Sequence, residues 1–70
     1  MAFSNFCELV ASVFGSEAYF FTTSMEHVAQ FDNYQVEYNS FRDWTFQFHG
    51  QDVFTFDSFD DLADKVAAVL

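Results

Sequence analysis

Carboxylate side chains form the most pointed pattern in this sequence. The cluster near its C-terminal end consists of Asp57, Asp60, Asp61 and Asp64. Residues three or four apart on a helix are neighbours, with about 5–6 Å between their Cβ atoms. Carboxylates at that spacing can transfer protons, hold a cation or bind a basic partner.

Two interpretations of this cluster compete. In the functional one, the row continues onto Asp52 and Glu37 of nearby predicted strands and imitates a line of phosphates. A protein that grips nucleic acid with Lys and Arg would then bind this surface instead. In the structural one, acids in the first turn stabilise a helix through its dipole. The dipole accounts for Asp60 and Asp61 but not for Asp64, and for this helix alone the structural interpretation is preferred.

The balance of charge extends the question to the whole chain. Eleven acids face only Arg42 and Lys65, and the net charge is −9. At least nine carboxylates therefore have no cationic partner within the chain, and their mutual repulsion destabilises the folded state. So few cations cannot replace the counterions of nucleic acid or bind an anionic membrane, which excludes both as direct partners. A basic protein surface is favoured, although solubility alone is an equally weighted use of the charge.

No set of residues indicates catalysis, a metal site or a cofactor. The single cysteine, Cys7, can form no internal disulfide and lies among apolar residues, where we expect a small buried side chain. His27 and His49 have no partners at ligand spacing. Gly15 and Gly50 are isolated, and no glycine-flanked serine of the nucleophile type is present. We therefore expect no catalytic residue, no metal ligand and no cofactor, and we predict that the chain is not an enzyme.

Aromatic residues are the second unusual feature. Twelve Phe, three Tyr and one Trp occur among 70 residues, more than a thin two-layer domain can hide. Tyr19, Phe20 and Phe21 are consecutive, so one strand face cannot bury all three, and Phe41 flanks a predicted turn. Exposed aromatic residues commonly anchor interfaces, and we predict that Tyr19 and Phe41 contact a partner. Self-association is the competing use, since a homodimer could bury the excess aromatic sheet face or a sheet edge.

The elements that must position these residues follow from hydrophobic periodicity. Apolar residues at three- and four-residue steps predict helices over 4–14 and 58–69, the second with Ser58 as its N-cap. Period-two alternation is typical of a half-buried sheet. It marks three strands, at about 33–39, 43–48 and 52–57.

Residues 18–31 are ambiguous. The aromatic and β-branched run that begins at Tyr19 favours a strand. Thr23 and Glu26 then have the spacing of a capping box, and we prefer a short helix over the rest of the segment. The alternative is a strand through His27 to Phe31.

These elements predict a single compact acidic domain over 1–70 of the α+β class. Its centre is a small single-layer antiparallel β-meander of three or four strands. N- and C-terminal helices pack on the aromatic face of the sheet, and the other face is wet. An odd-numbered loop between the last two strands would pair Phe46 with Phe54 on one face.

In size, charge and lack of catalytic motifs, the chain resembles the small acidic proteins that phages direct against host nucleic-acid enzymes, including anti-CRISPR and anti-restriction proteins. The resemblance is one of character, since no motif of a named family occurs. It implies a non-enzymatic inhibitor of the DNA-mimic kind, which binds a basic, nucleic-acid-binding site of another protein. The alternative function is a structural or assembly adaptor that homodimerises through its aromatic sheet face.

The expected location of the chain is the cytoplasm. No basic N-terminal region with a continuous apolar stretch is present, so we expect no signal peptide. The longest apolar runs are too short to span a bilayer. For a phage-encoded chain the location would be the host cytoplasm.

Overall fold

Two helices and five strands make up the protein. A computed structural model describes residues 1–70. The helices are α1 (Phe3–Phe14) and α2 (Phe59–Ala67). The strands are β1 (Tyr19–Thr22), β2 (Glu26–Gln30), β3 (Tyr34–Asn39), β4 (Asp43–Phe48) and β5 (Phe54–Phe56). The predicted N- and C-terminal helices are thus confirmed.

The strands form one antiparallel sheet in the order β1-β2-β3-β4-β5, so that each strand pairs with its neighbour in the chain. α1 packs on β2, and α2 packs on β4 and β5. The antiparallel meander with helices on one face is therefore confirmed. The predicted number of strands was wrong, because the sheet has five rather than three or four.

The additional strand is β2, which lies where we preferred a short helix. Thr23 Oγ1 accepts hydrogen bonds from the N–H groups of Met25 and Glu26 at 3.3 and 3.0 Å, as a helix cap would. Here these bonds close the β1–β2 hairpin, since the Thr23 N–H donates to the Glu26 carbonyl oxygen at 2.8 Å. Val28 and Ala29 are both buried although they point to opposite faces of the sheet. Pairing with strands on both sides outweighs the local capping pattern.

β4 and β5 pair in the predicted register. Phe46 lies opposite Phe54, and Trp44 lies opposite Phe56, so all four side chains point to the helix-covered face. β5 is shorter than the predicted strand at 52–57, because the residues before Phe54 belong to the connection from β4.

The aromatic face of the sheet forms the core together with the inner sides of both helices. The buried residues of this core are Phe6, Val10, Ala29, Val36, Trp44, Phe46, Leu62 and Val66. Phe6 of α1 stacks on Trp44 with 5.7 Å between ring centroids, and Phe59 of α2 lies 4.8 Å from the same ring. Such ring pairs contribute about 0.5–1.5 kcal/mol beyond their burial. Trp44 therefore joins both helices to the sheet.

His27 fastens the N-terminal end of α1 to β2. Its ring lies on the helix-covered face, with 5.5 Å from its centroid to those of Phe3 and Phe6. Its Nε2 is 2.9 Å from the carbonyl oxygen of Met1, and its Nδ1 is 2.9 Å from Thr22 Oγ1. The sequence pattern did not reveal these contacts, because they depend on β2 being a strand.

Single residues define the ends of the helices. Gly15 ends α1 with a φ of 93°, a conformation that suits glycine, and its N–H donates to the Ala11 carbonyl oxygen at 3.0 Å. At the start of α2 the Asp61 N–H donates to Ser58 Oγ at 3.1 Å, which confirms Ser58 as the N-cap. Neither helix is long and apolar enough to cross a membrane.

Candidate functional site

The outer side of α2 and the residue before its cap carry four neighbouring carboxylates. We call this surface the acidic face of α2: Asp57, Asp60, Asp61 and Asp64. Leu62 and Val66 are buried against the sheet, so helical spacing turns the acids outward. All but the half-buried Asp61 are exposed. The predicted C-terminal cluster therefore forms one continuous surface.

Very little of this charge is neutralised inside the molecule. Lys65 Nζ lies 3.7 Å from Asp61 Oδ1, and the two side chains are 67% and 45% exposed. No other carboxylate in the chain lies within 4.0 Å of a cationic nitrogen. An exposed pair of this kind on a helix contributes only about 0.3–0.5 kcal/mol. The carboxylates therefore remain available to a cationic partner.

Asp52 and Glu37 do not extend the acidic face of α2. Asp52 precedes β5 and Asp57 follows it, so the whole strand separates them, at about 3.3 Å per residue. Glu37 alternates with Val36 and Tyr38, which contact the core. It therefore points to the opposite side of the sheet, which no helix covers and which we call the open face. The predicted continuous row of carboxylates through these positions is not formed.

The structure instead brings Asp43 to this surface. One further step of the β4–β5 register places Asp57 opposite Asp43. Asn39 and Glu26 continue the same row across β3 and β2.

Asp43 and Glu26 point to the open face, as Glu37 does, because their neighbours Trp44 and His27 point to the helices. We call the acidic face of α2 together with Asp43 and Glu26 the acidic end, which includes both faces at this end of the sheet. Sequence reasoning missed both residues, although the predicted register of β4 and β5 already implied the position of Asp43.

The other acids lie elsewhere on the molecule. Glu8 is on the outer side of α1, and Glu37 is on the open face, where it borders the acidic end through its hydrogen bond with Glu26. Glu17, Asp32 and Asp52 lie at the opposite end of the sheet. Six of the eleven acids thus belong to the acidic end, and the rest are distributed over the remaining surface. The acidic end holds more carboxylates than the rest of the surface, and it also carries both cations of the chain, Arg42 in the β3–β4 turn and Lys65 on α2.

Glu37 is a half-buried carboxylate on the open face. It stands beside Val28 and Thr45, which are buried there. Burial raises the pKa of Glu37 to about 7, and a hydrogen bond with Glu26 and the charge of that residue act in the same direction. Gln35 Nε2 donates to Glu37 Oε2 at 2.9 Å, and this bond lowers the pKa by less. Glu37 therefore lies in a different environment from the exposed acids of α2.

The two predicted aromatic anchors lie far apart in the fold. Tyr19 is 68% exposed and packs against Phe21 on the open face, with 5.1 Å between ring centroids. It belongs to β1, the edge strand farthest from α2. Phe20, between them, points to the core. Tyr19 therefore cannot share a contact surface with the acidic face of α2.

Phe41, unlike Tyr19, lies close to the acidic end. It is 80% exposed in the β3–β4 turn, at the same end of the sheet as Asp43. Asn39 fixes this turn, because its Oδ1 accepts the Phe41 N–H at 2.7 Å and its carbonyl oxygen accepts the Arg42 N–H at 3.2 Å. Asp43 completes the turn with a φ of 58°. The turn thus presents an aromatic ring in a defined position beside the acidic end.

This arrangement combines exposed carboxylates with an adjacent aromatic ring and suits the binding of a basic surface. No three His, Cys, Asp or Glu residues are placed so that they could hold a metal ion. The aromatic face of the sheet contacts the helices, which leaves the open face and the two edge strands for a second copy of the chain. No protein family, curated protein or solved structure matches the chain.

Proposed function

We propose that this chain is a non-enzymatic binding protein that docks its acidic end on a basic surface of another protein. The observation that carries the proposal is that almost none of the carboxylates is paired with a cation of the chain. The acidic end holds six of the eleven acids, and Asp61 alone has a cation within 4.0 Å. Docking on Lys and Arg side chains would relieve the repulsion between these carboxylates.

The neighbouring Phe41 supports the proposal. Charge complementarity mainly speeds encounter and selects the partner, whereas buried aromatic side chains supply much of the affinity of an interface. The ring is 80% exposed on a turn that hydrogen bonds hold in place. The backbone of the turn is therefore already ordered, and binding adds only the entropic cost of ordering the Phe41 side chain.

The partner in this proposal is a protein whose basic surface normally binds nucleic acid. Carboxylates along a helix can occupy the positions that phosphates take on such a surface. Binding there would make the chain an inhibitor, as in the anti-CRISPR and anti-restriction proteins that the sequence resembles in character. The chain would act where such enzymes work, in the cytoplasm.

Affinity capture with matched variants tests the proposal. The immobilised wild-type chain is compared with the triple variant Asp57→Asn, Asp60→Asn, Asp64→Asn. The control variant combines Glu8→Gln, Glu17→Gln and Asp32→Asn, which removes equal charge from exposed positions elsewhere. We expect the wild type and the control to retain basic proteins at low salt, and the α2 variant to lose them.

A nucleic-acid duplex added to the captured material should release the retained proteins, because both ligands would occupy the same basic site. Circular dichroism verifies that both triple variants are folded. Equal capture by the two variants, or retention that a duplex in excess does not reverse, would contradict the proposal.

A further inference from the structure

β5 is an edge strand of the sheet. It pairs only with β4, so the backbone groups along its other side have no strand partner. Edge strands are commonly protected by Lys, Pro or a β-bulge. β5 consists of Phe54, Thr55 and Phe56, has none of these features and is only three residues long.

An apolar groove of about 240 Å³ lies between strands β4 and β5 on one side and the end of α2 with the residues that follow it on the other. Its lining residues are Phe46, Phe48, Phe54, Phe56, Lys65, Val66 and Val69. Phe54 is 53% exposed and Val69 is 67% exposed. Exposed apolar side chains around a concave surface are typical of a docking site.

The orientation of α2 places the groove at the edge of the sheet. Phe59 contacts Phe14 of α1 with 6.4 Å between ring centroids, so that flank of α2 faces α1. Lys65 lines the groove together with Phe54, so the side of α2 that carries Lys65 faces β5. The groove is therefore next to the unpaired side of the sheet rather than between the helices.

Carboxylates stand at both ends of β5. Asp52 lies two residues before the strand, and Asp57 follows it directly. The one cation that lines the groove is Lys65, whose Nζ lies 3.7 Å from Asp61 Oδ1. The edge thus presents a carboxylate at each end of β5 and a mainly apolar centre, with the Asp61-paired Lys65 on its α2 side.

We propose that β5 and this groove bind an extended cationic segment of the partner protein as a sixth strand. The backbone of that segment pairs with β5, its alternate apolar side chains enter the groove, and basic residues at its two ends meet Asp52 and Asp57. The inference rests on the proposed function, and it names the part of the basic partner that is recognised.

Electrostatic repulsion disfavours a second copy of the chain at the edge of β5. Antiparallel pairing of two β5 strands would bring Asp52 of one copy toward Asp57 of the other. Each copy also carries a net charge of −9. Like charges brought together at an interface oppose association, whereas a cationic segment removes the repulsion.

Binding of a defined peptide tests the inference. The probe has lysine pairs at both ends of an alternating valine–threonine centre and is titrated by fluorescence anisotropy. We expect Val69→Ser and Phe54→Thr to weaken binding about tenfold or more, while Leu9→Ser on α1 leaves it unchanged. A peptide of the same sequence with N-methyl groups along one edge should bind about tenfold more weakly, because it cannot donate hydrogen bonds to β5.

Failure of this inference is distinguishable from failure of the proposed function. Val69 is exposed, so Val69→Ser keeps the fold even where Phe54→Thr does not. Unchanged affinity of Val69→Ser, or equal binding of the N-methylated peptide, overturns the strand addition and leaves capture through the α2 carboxylates standing. Peptide binding that needs the groove and Asp57 but not Asp60 and Asp64 supports the sixth strand and contradicts docking through the acidic face of α2. A dimer that disappears with Val69→Ser in light scattering would assign the edge to self-association and overturn the inference.

Discussion

At the scale of single residues, Glu37 has the environment that differs most from that of its free side chain. Burial raises its pKa to about 7, and Glu26 acts in the same direction. The folded state therefore holds a proton that the unfolded state has already released at neutral pH. Ionising Glu37 consequently destabilises the fold as the pH rises from the ordinary value of 4.5 toward 7. Below 4.5 the carboxyl is protonated in both states and the effect vanishes.

Replacing Glu37 with Gln should therefore stabilise the protein above pH 7. We expect a gain of about 1 kcal/mol, because solvent around a half-exposed side chain reduces the full effect of such a pKa shift. At pH 4 and below, the free energy of unfolding should equal that of the wild type. Urea unfolding across this pH range makes the comparison, with Glu8→Gln on the exposed side of α1 as control. Parallel pH profiles for the wild type and Glu37→Gln would show that the carboxyl ionises normally.

His27 is a second residue with a specific structural role. Replacing it with Ala removes polar contacts of 2.9 Å to Met1 and Thr22 and leaves a space beside Phe3 and Phe6. We expect the free energy of unfolding to fall by about 2–3 kcal/mol. His49→Ala, at an exposed position after β4, should change it by less than about 0.5 kcal/mol. Equal effects of the two substitutions in urea unfolding would contradict the role given to His27.

At the scale of elements, a strand could be predicted where the alternation of its own residues defines it. A strand that depends on pairing with other strands could not. Alternation in residues 33–57 identified β3, β4 and β5 and the pairing of Phe46 with Phe54. The Thr23–Glu26 pattern failed, because the same side-chain hydrogen bonds can begin a helix or close a hairpin. Only the pairing of β2 with strands on both sides distinguishes these outcomes.

The cap of α2 was predictable and gives a test at this scale. Ser58→Ala removes the acceptor of the Asp61 N–H and should lower the free energy of unfolding by about 1 kcal/mol. Ser16→Ala, at an exposed position outside any helix or strand, serves as the control. Because Ser58 fixes the first turn that carries Asp60 and Asp61, we also expect weaker binding to a basic partner. Unchanged stability of Ser58→Ala in thermal unfolding would contradict the capping role.

At the scale of the whole molecule, the sequence predicted how much charge there is but not which acids share a surface. The face of Glu37 followed from its alternation with Val36 and Tyr38, which is incompatible with the predicted row of carboxylates. The approach of Asp43 to Asp57 depends on the β4–β5 register, which the predicted pairing contained. The position of Tyr19 at the far edge required the order of all five strands.

The molecule is small compared with the range over which its charges interact at low salt. The radius of gyration is 10.9 Å, comparable with the Debye length of about 10 Å at 0.1 M salt. At low salt each carboxylate therefore interacts with most of the others. A basic partner would experience the whole net charge during its approach and the acidic end once it is in contact.

The salt dependence of affinity for a captured basic protein tests the central claim most directly. Its Kd is measured over a range of salt concentrations for the wild type and for the two triple variants that remove equal charge. We predict that the variant at Asp57, Asp60 and Asp64 loses affinity and has a shallower dependence of log Kd on log salt. The variant at Glu8, Glu17 and Asp32 should stay close to the wild type. Identical affinities and slopes for the two variants would mean that only net charge matters, and would contradict docking through the acidic end.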